Sequence, residues 1–356
     1  MSIAVLEPPL VIALIVLWTV VDNRPVEKCC QKLDPDASRN VSQLIRSRGY
    51  PVEEHSVVTE DHFVLGVQRI PRGRAGKAHG GSKPVVFLLH GLLGDSSNWV
   101  QNYPDDSLGY ILADSGYDVW LGNIRGNRYS RRNRRLCPWE PKFWDWSFQE
   151  MASLDIPAML EYALNVTGES QLYYVGHSQG SLVGFLAFST IPEIAKKVKL
   201  FFALAPVFQL NHTADVLIDA AFALQPYESR VPVYMSNWPA GTSFKNVIHF
   251  SQIITSGKCR MFDYGRKGNL ERYHQDSPPG YNVTKMTTPT AFFYGGNDGL
   301  ANATDVRALI PQISNLIIED CIQEYNHIDF IFGIDAGKVL YSRILAILED
   351  HPMKEK

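Results

Sequence analysis

Five apolar runs of strand length recur along the chain, and most of them end in a turn that carries chemistry. Pro84-Val85-Val86-Phe87-Leu88-Leu89 shows no polar alternation, the pattern of a strand buried on both faces of a sheet. Gln171-Leu172-Tyr173-Tyr174-Val175, Leu200-Phe201-Phe202-Ala203-Leu204, Thr290-Ala291-Phe292-Phe293-Tyr294 and Asn315-Leu316-Ile317-Ile318 also read as strands. A helix is predicted to start at Ser181-Leu182-Val183, directly after a glycine-flanked turn. Together these runs predict an α/β fold on a mostly parallel sheet flanked by helices. In open sheets of this kind, sites form outside the carboxyl edge of the strands. The turns that follow the runs are therefore where chemistry is to be sought.

The turn after the second run is Gly176-His177-Ser178-Gln179-Gly180. A serine on a sharp strand-to-helix turn has its hydroxyl thrust into an open site, the arrangement of a nucleophile elbow. The flanking Gly176 and Gly180 fit a turn in which a β-carbon would crowd the neighbouring strand and helix. Gly-x-Ser-x-Gly alone is weak evidence, arising by chance about one time in ten in a chain this long. Its company strengthens it. The first run ends in His90-Gly91-Leu92-Leu93-Gly94, and the loop after this strand supplies one backbone N–H of an α/β-hydrolase oxyanion hole. Leu92 and Gln179 are the expected donors. The fourth run leads to Gly295-Gly296-Asn297-Asp298, and the fifth is followed by Tyr325-Asn326-His327. The order Ser178, Asp298, His327 is the nucleophile, acid and base order of α/β-hydrolases. Asp305 and Asp329 are the competing acids, and Asp329 reads better as a structural group near the start of the last helix. His90 is expected to shape the oxyanion loop, and His177 to point away from the reacting carbonyl.

Stretches spread over most of the chain resemble the acid lipase family of gastric and lysosomal lipases. They include Ile45 to His55, Thr59-Glu60-Asp61, Leu65 to Pro71, His90-Gly91-Leu92-Leu93, Asn98-Trp99 and Asn123-Ile124-Arg125-Gly126-Asn127. Phe143-Trp144, Asp155-Ile156-Pro157-Ala158, Pro239-Ala240-Gly241-Thr242-Ser243, Phe262-Asp263-Tyr264-Gly265 and Asn326 to Phe330 complete the set. The resemblance implies an α/β-hydrolase fold and hydrolysis of acylglycerols or cholesteryl esters at a lipid–water interface. Three departures stand out. His62 follows Asp61 where glycine is usual, a change at a hairpin tip, and Asn302 stands where an aspartate is usual. From Pro206 to Tyr234 the chain is several dozen residues shorter than the family pattern, in the part that carries much of the helical cap and lid. The expected organisation is a signal peptide over 1–21, a first core part over 30–206, a truncated helical cap insertion over 207–284 and a last core part over 285–350. The short cap leaves open a short-chain ester hydrolase, or a lipid-binding relative with impaired chemistry.

Composition changes this picture little. Hydrophobic content of 45% and charged content of 20% are ordinary for a globular protein, and a net charge of −3 carries no partner signal. The basic run Arg125, Arg128, Arg131, Arg132, Arg134 and Arg135 reads as a solvated, partly salt-bridged face rather than a nucleic-acid site. Leu10 to Val21 is apolar but for Thr19, of signal-peptide length and short for a membrane span, so no stable transmembrane segment is expected. Its leading residues lack Lys and Arg, and an uncleaved anchor is the alternative. Five glycosylation sequons, at Asn40, Asn165, Asn211, Asn282 and Asn302, favour a secreted or lysosomal product. Cys29, Cys30, Cys137, Cys259 and Cys321 are an odd set with no Cys-x-x-Cys, and His-Glu-x-x-His, Gly-x-Gly-x-x-Gly and Walker patterns are absent. Neither a metal nor another cofactor is expected.

Overall fold

The computed structural model describes residues 34–74, 83–213 and 230–353. The expected signal segment, Cys29 and Cys30 lie outside the described residues. Nine strands among them form one sheet: β1 (Glu53–Val58), β2 (Phe63–Ile70), β3 (Val85–Leu89), β4 (Asp118–Gly122), β5 (Arg132–Asn133), β6 (Leu172–His177), β7 (Val198–Leu204), β8 (Thr290–Gly295) and β9 (Leu316–Ile322). Their order is β1-β2-β4-β3-β6-β7-β8-β9, with β5 pairing β2. From β4 to β9 every pairing is parallel, and β1, β2 and β5 add antiparallel partners at one edge.

Four of the unalternating runs form the sheet's interior, and the fifth lies in the edge strand β9. Every residue of β3, β4, β6 and β8 is buried, as the continuous apolar pattern requires when helices cover both faces. At the β1–β2 hairpin tip His62 has φ of 72°, the left-handed region that glycine adopts most easily. The fifth run proves longer than its apolar part. β9 continues through Glu319, Asp320 and Cys321, because an edge strand half open to water tolerates polar residues on its outer positions.

The longer helices are α1 (Val41–Ser47), α2 (Leu108–Asp114), α3 (Ile156–Thr167), α4 (Gln179–Thr190), α5 (Val231–Asn237), α6 (Phe244–Ser256), α7 (Gly265–Tyr273), α8 (Ala303–Leu309) and α9 (Ser342–Asp350). None of the described helices is long and apolar enough to cross a membrane. α4 is buried along nearly its whole length, which suits the helix that leaves the central strand. α5, α6 and α7 occupy the segment between β7 and β8, where the cap insertion is expected. α6 begins with Ser243 as N-cap, its hydroxyl accepting from Asn246 N at 2.9 Å and donating to the Trp146 carbonyl. Just before α5, Arg230 reaches back to the start of the described chain. It pairs with Asp34 at 2.7 Å and with buried Asp36 at 2.9 Å, and Asp36 also pairs with Arg39 and Arg48.

The basic run is not one solvated face. Arg128, Arg131, Arg132, Arg134 and Arg135 are exposed, but Arg125 is only 1% exposed, held by Asp155 and Asp61 at 2.6 Å each. A guanidinium can be buried there because three of its nitrogens reach two carboxylates, so its charge is matched where water is excluded.

Candidate active site

Ser178 joins β6 to α4 with φ of 53° and ψ of −117°, a backbone conformation that costs a non-glycine residue energy. The turn is held from several sides. Ser178 N donates to the Leu204 carbonyl at 3.0 Å, while its own carbonyl accepts from Ser181 N, Leu182 N and the Ser181 hydroxyl. The two glycines have the steric job their positions suggested. A β-carbon at Gly176 would lie 2.5 Å from the Gly180 carbonyl, and one at Gly180 would lie 2.3 Å from the Leu89 carbonyl at the end of β3. The elbow is thus pressed directly against the strand that leads into the 90–94 loop.

His327 follows β9 and Asp298 follows β8, and the sheet order brings both to the edge where β6 ends. The His327 Nε2 lies 2.8 Å from the Ser178 Oγ, and its Nδ1 lies 2.9 Å from the Asp298 Oδ2. The other Asp298 oxygen accepts from Leu300 N at 2.9 Å and Ala301 N at 2.7 Å, which fixes the carboxylate's orientation. The rival acids are engaged elsewhere. Asp305 accepts from Asn211 N and His212 N and meets His212 Nδ1, while Asp329 accepts from Asn326 N. Asp329 opens the short helix Asp329–Phe332 and not the last helix, which is α9.

The 90–94 loop lies against the elbow: a β-carbon at Gly91 would lie 3.1 Å from the Ser178 Cβ. Leu92, half-buried, follows it, and no acceptor among the described residues takes the backbone N–H of Leu92 or of Gln179. His90 anchors this loop. Its Nδ1 lies 2.8 Å from the Gly91 carbonyl, so that nitrogen carries the proton. Its Nε2 faces Asn127 Nδ2 at 3.1 Å and Ile124 N at 3.4 Å, both donors. Burial pushes the His90 pKa down to about 4, and the ring stays neutral with Nε2 as acceptor. His177 donates to the His327 carbonyl at 2.9 Å, and burial, helped by nearby His327, lowers its pKa to about 3. It supports the backbone of His327.

Sequence models of two families match the chain. One described as "Partial alpha/beta-hydrolase lipase region" covers residues 41–103, and one described as "alpha/beta hydrolase fold" covers residues 84–227. The chain is 41% identical over 388 residues to the human protein named Lysosomal acid lipase/cholesteryl ester hydrolase, covering 95% of this chain and 97% of that protein. It is 42% identical over 368 residues to the Bos taurus protein named Gastric triacylglycerol lipase, covering 89% and 93%. The chain belongs to the acid lipase family. Human Lipase member K is a further relative, 41% identical over 369 residues, covering 89% of this chain and 92% of that protein. Among solved structures, a thermophilic esterase from Thermogutta terrifontis superimposes with a TM-score of 0.54 at 14% identity, covering 84% of this chain and all of that one. At that identity the likeness speaks to the α/β-hydrolase fold alone.

Two features of this acid lipase site escaped the sequence reading. Asn246, on α6, donates from Nδ2 to the Gln179 Oε1 at 2.7 Å and so ties α6 to the residue after Ser178. Ala240 N also donates to the Leu93 carbonyl at 2.7 Å, laying the Pro239–Ser243 segment along the 90–94 loop. That segment was legible as a family motif, but nothing in it announced its neighbour. Among the described residues no cluster of side chains could hold a metal ion. Cys137, Cys259 and Cys321 are free thiols.

Proposed function

We propose that the chain is a lipase of the secretory pathway that hydrolyses triacylglycerols, and sterol esters with them, through an acyl-enzyme on Ser178. As a member of the acid lipase family it is a carboxylic ester hydrolase. The observation that carries the catalytic reading is the continuous chain from Ser178 Oγ through His327 to Asp298, with contacts of 2.8 and 2.9 Å. The choice of lipid ester rests on the relatives' names.

In this reading His327 Nε2 takes the Ser178 proton as Oγ attacks the ester carbonyl, and Asp298 holds the imidazole with Nδ1–H towards it and stabilises the cation that forms. The free N–H groups of Leu92 and Gln179 receive the oxyanion, each worth on the order of 3 kcal/mol of barrier. His327 then returns the proton to the leaving alcohol. Water hydrolyses the acyl-enzyme by the same steps in reverse. The exposed Asn40, Asn165, Asn211 and Asn282 are available to carry glycans. Asn302 alone of the five is half-buried, which makes it the poorest acceptor among them.

Ser178→Ala tests the assignment. Turnover of a soluble ester should fall by about a million-fold, as loss of a triad serine does in a comparable enzyme. Labelling by a fluorophosphonate probe should vanish while the circular dichroism is unchanged. Persisting turnover in a folded Ser178→Ala protein would sink the triad.

A narrower reading, a short-chain ester hydrolase, is favoured by the shortened cap. The alignments to relatives run over 368 to 388 positions although the chain has 356 residues, so the relatives hold residues without counterpart here. On the reading of the sequence above, that loss falls in the 206–234 stretch. Rates across ester chain lengths from butyrate to oleate separate the readings, since a groove without its cover loses its advantage for long chains.

A further inference from the structure

Gln179 is 1% exposed, and its Nε2 has no hydrogen-bond partner among the described residues. A buried unpartnered donor is costly to folding, and its survival beside a nucleophile calls for a reason. The orientation of this amide is not arbitrary. Phe148 N can only donate, and it lies 2.8 Å from Asn246, so Asn246 must turn its Oδ1 towards it. The Nδ2 of Asn246 therefore faces Gln179 at 2.7 Å, with Thr242 Oγ1 as its second acceptor at 3.1 Å. Gln179 must answer with Oε1. Its Nε2 is left over as a pair of N–H donors, and their direction is set by a backbone amide two residues of hydrogen bonding away.

The surroundings point to the acceptor. Gln179 follows the nucleophile, and its backbone N–H is itself free. The Pro239–Ser243 segment, which leads into α6, joins the 90–94 loop through Ala240 N to Leu93 O. The amide is buried, directly follows Ser178 in the chain and meets Asn246 near the start of α6. An ester offers acceptors only, the complement of an orphan donor.

We propose that the Gln179 side-chain amide contacts the substrate, its Nε2–H donating to the oxygen of the reacting ester carbonyl beside the backbone amides. Asn246 is the positioning residue that decides which end of the amide the ester meets. The inference rests on the proposed ester hydrolysis at Ser178. It gives the oxyanion hole a third donor, and it makes the retained cap helix α6 part of that hole's support rather than a cover alone.

Full-length Gln179→Met, Gln179→Glu and Asn246→Asp proteins, with active sites titrated by a fluorophosphonate, test it on p-nitrophenyl butyrate. Gln179→Met removes the donor at nearly constant volume, and kcat should fall about tenfold or more with KM little changed, as for an interaction made in the transition state. In Asn246→Asp the new carboxylate attracts Nε2 and turns Oε1 towards the ester, so kcat should fall by a similar factor. Gln179→Glu supplies the reading that a structural role cannot mimic. Ionised, its carboxylate cannot donate and repels the oxyanion; protonated, it regains an O–H. Its activity relative to the unaltered protein should therefore rise as pH falls. Full kcat in folded Gln179→Met, or a pH-independent Gln179→Glu ratio, overturns the inference while leaving the triad untouched. An unaltered protein that is labelled at Ser178 yet leaves every ester intact overturns both.

Discussion

His90 makes the stability of this protein sensitive to acid in a way that can be calculated and isolated. In the folded chain its Nε2 accepts from Ile124 N and Asn127 Nδ2, and the direction of the Asn127 amide is itself fixed because Tyr129 N donates to its oxygen at 3.0 Å. A proton on Nε2 would face two donors. Burial, which disfavours the charged ring, holds the folded pKa near 4 against an ordinary 6.5. Below pH 6.5 the unfolded chain binds a proton that the folded chain refuses, so stability is intact above that value and declines as pH falls towards 4. Each pH unit in that window removes about 1.4 kcal/mol, so moving from about pH 7 to about pH 5 costs about 2 kcal/mol through this residue. His177 and His249, with folded values near 3 and 4, act with the same sign, and the whole protein's decline should be steeper. Comparison with His90→Gln isolates the one group. Glutamine can still accept from Ile124 N but does not titrate. The variant should start about 1–3 kcal/mol less stable at neutral pH, from imperfect replacement of the buried hydrogen bonds. Its further loss on acidification should be smaller than the unaltered protein's by about 2 kcal/mol. Urea unfolding followed by tryptophan fluorescence at the two pH values gives both numbers. Equal losses in the two proteins would refute the reasoning, and would mean that the loop rearranges to accept the proton.

Three other outcomes follow from the geometry. Arg125→Met leaves Asp155 buried without its partner and should cost about 3–5 kcal/mol, read as a lower urea midpoint; a change under about 1 kcal/mol would show that water reaches the pair. Gly180→Ala sets a methyl 2.3 Å from the Leu89 carbonyl, where backbone must move, so melting temperature and fluorophosphonate labelling of Ser178 should fall together. Unaltered labelling at a normal melting temperature would show that the elbow is not so tightly seated. If the cap is short enough to leave the site open, hydrolysis of a short triacylglycerol should rise smoothly through its solubility limit, and a sharp jump there would reveal a working lid.

The sheet and the meeting of Ser178, Asp298 and His327 at one edge of it were legible because both are written locally. β3, β6 and β8 are unalternating apolar runs, and Ser178, Asp298 and His327 each stand a few residues beyond a strand. Chain order then tells which turns meet. Local pattern stops being informative where partners lie far apart. Arg125 sits among arginines that do face water, and only Asp61 and Asp155, 64 and 30 residues away, make it a buried ion pair. Asn246 is one polar residue on a half-exposed helix, and its role comes from Gln179, 67 residues earlier. The length of β9 was underread for a related reason, since an edge strand lacks the second apolar neighbour that keeps its interior unbroken.

The pairing of Arg230 with Asp36 spans 194 residues, and that separation has a consequence in time. Asp36 emerges early in synthesis. Its distant partner follows roughly 10–40 s later at 5–20 residues per second. During that interval Arg39 and Arg48, which are made almost at once after it, are the cations available to the acid. The late arrival of Arg230 then closes the segment around Asp36 onto the root of α5, so the first described segment is among the last to gain all its contacts. Any process that acts on the nascent chain, whether trimming, glycan transfer at Asn40 or chaperone binding, meets that segment while its final anchor does not yet exist.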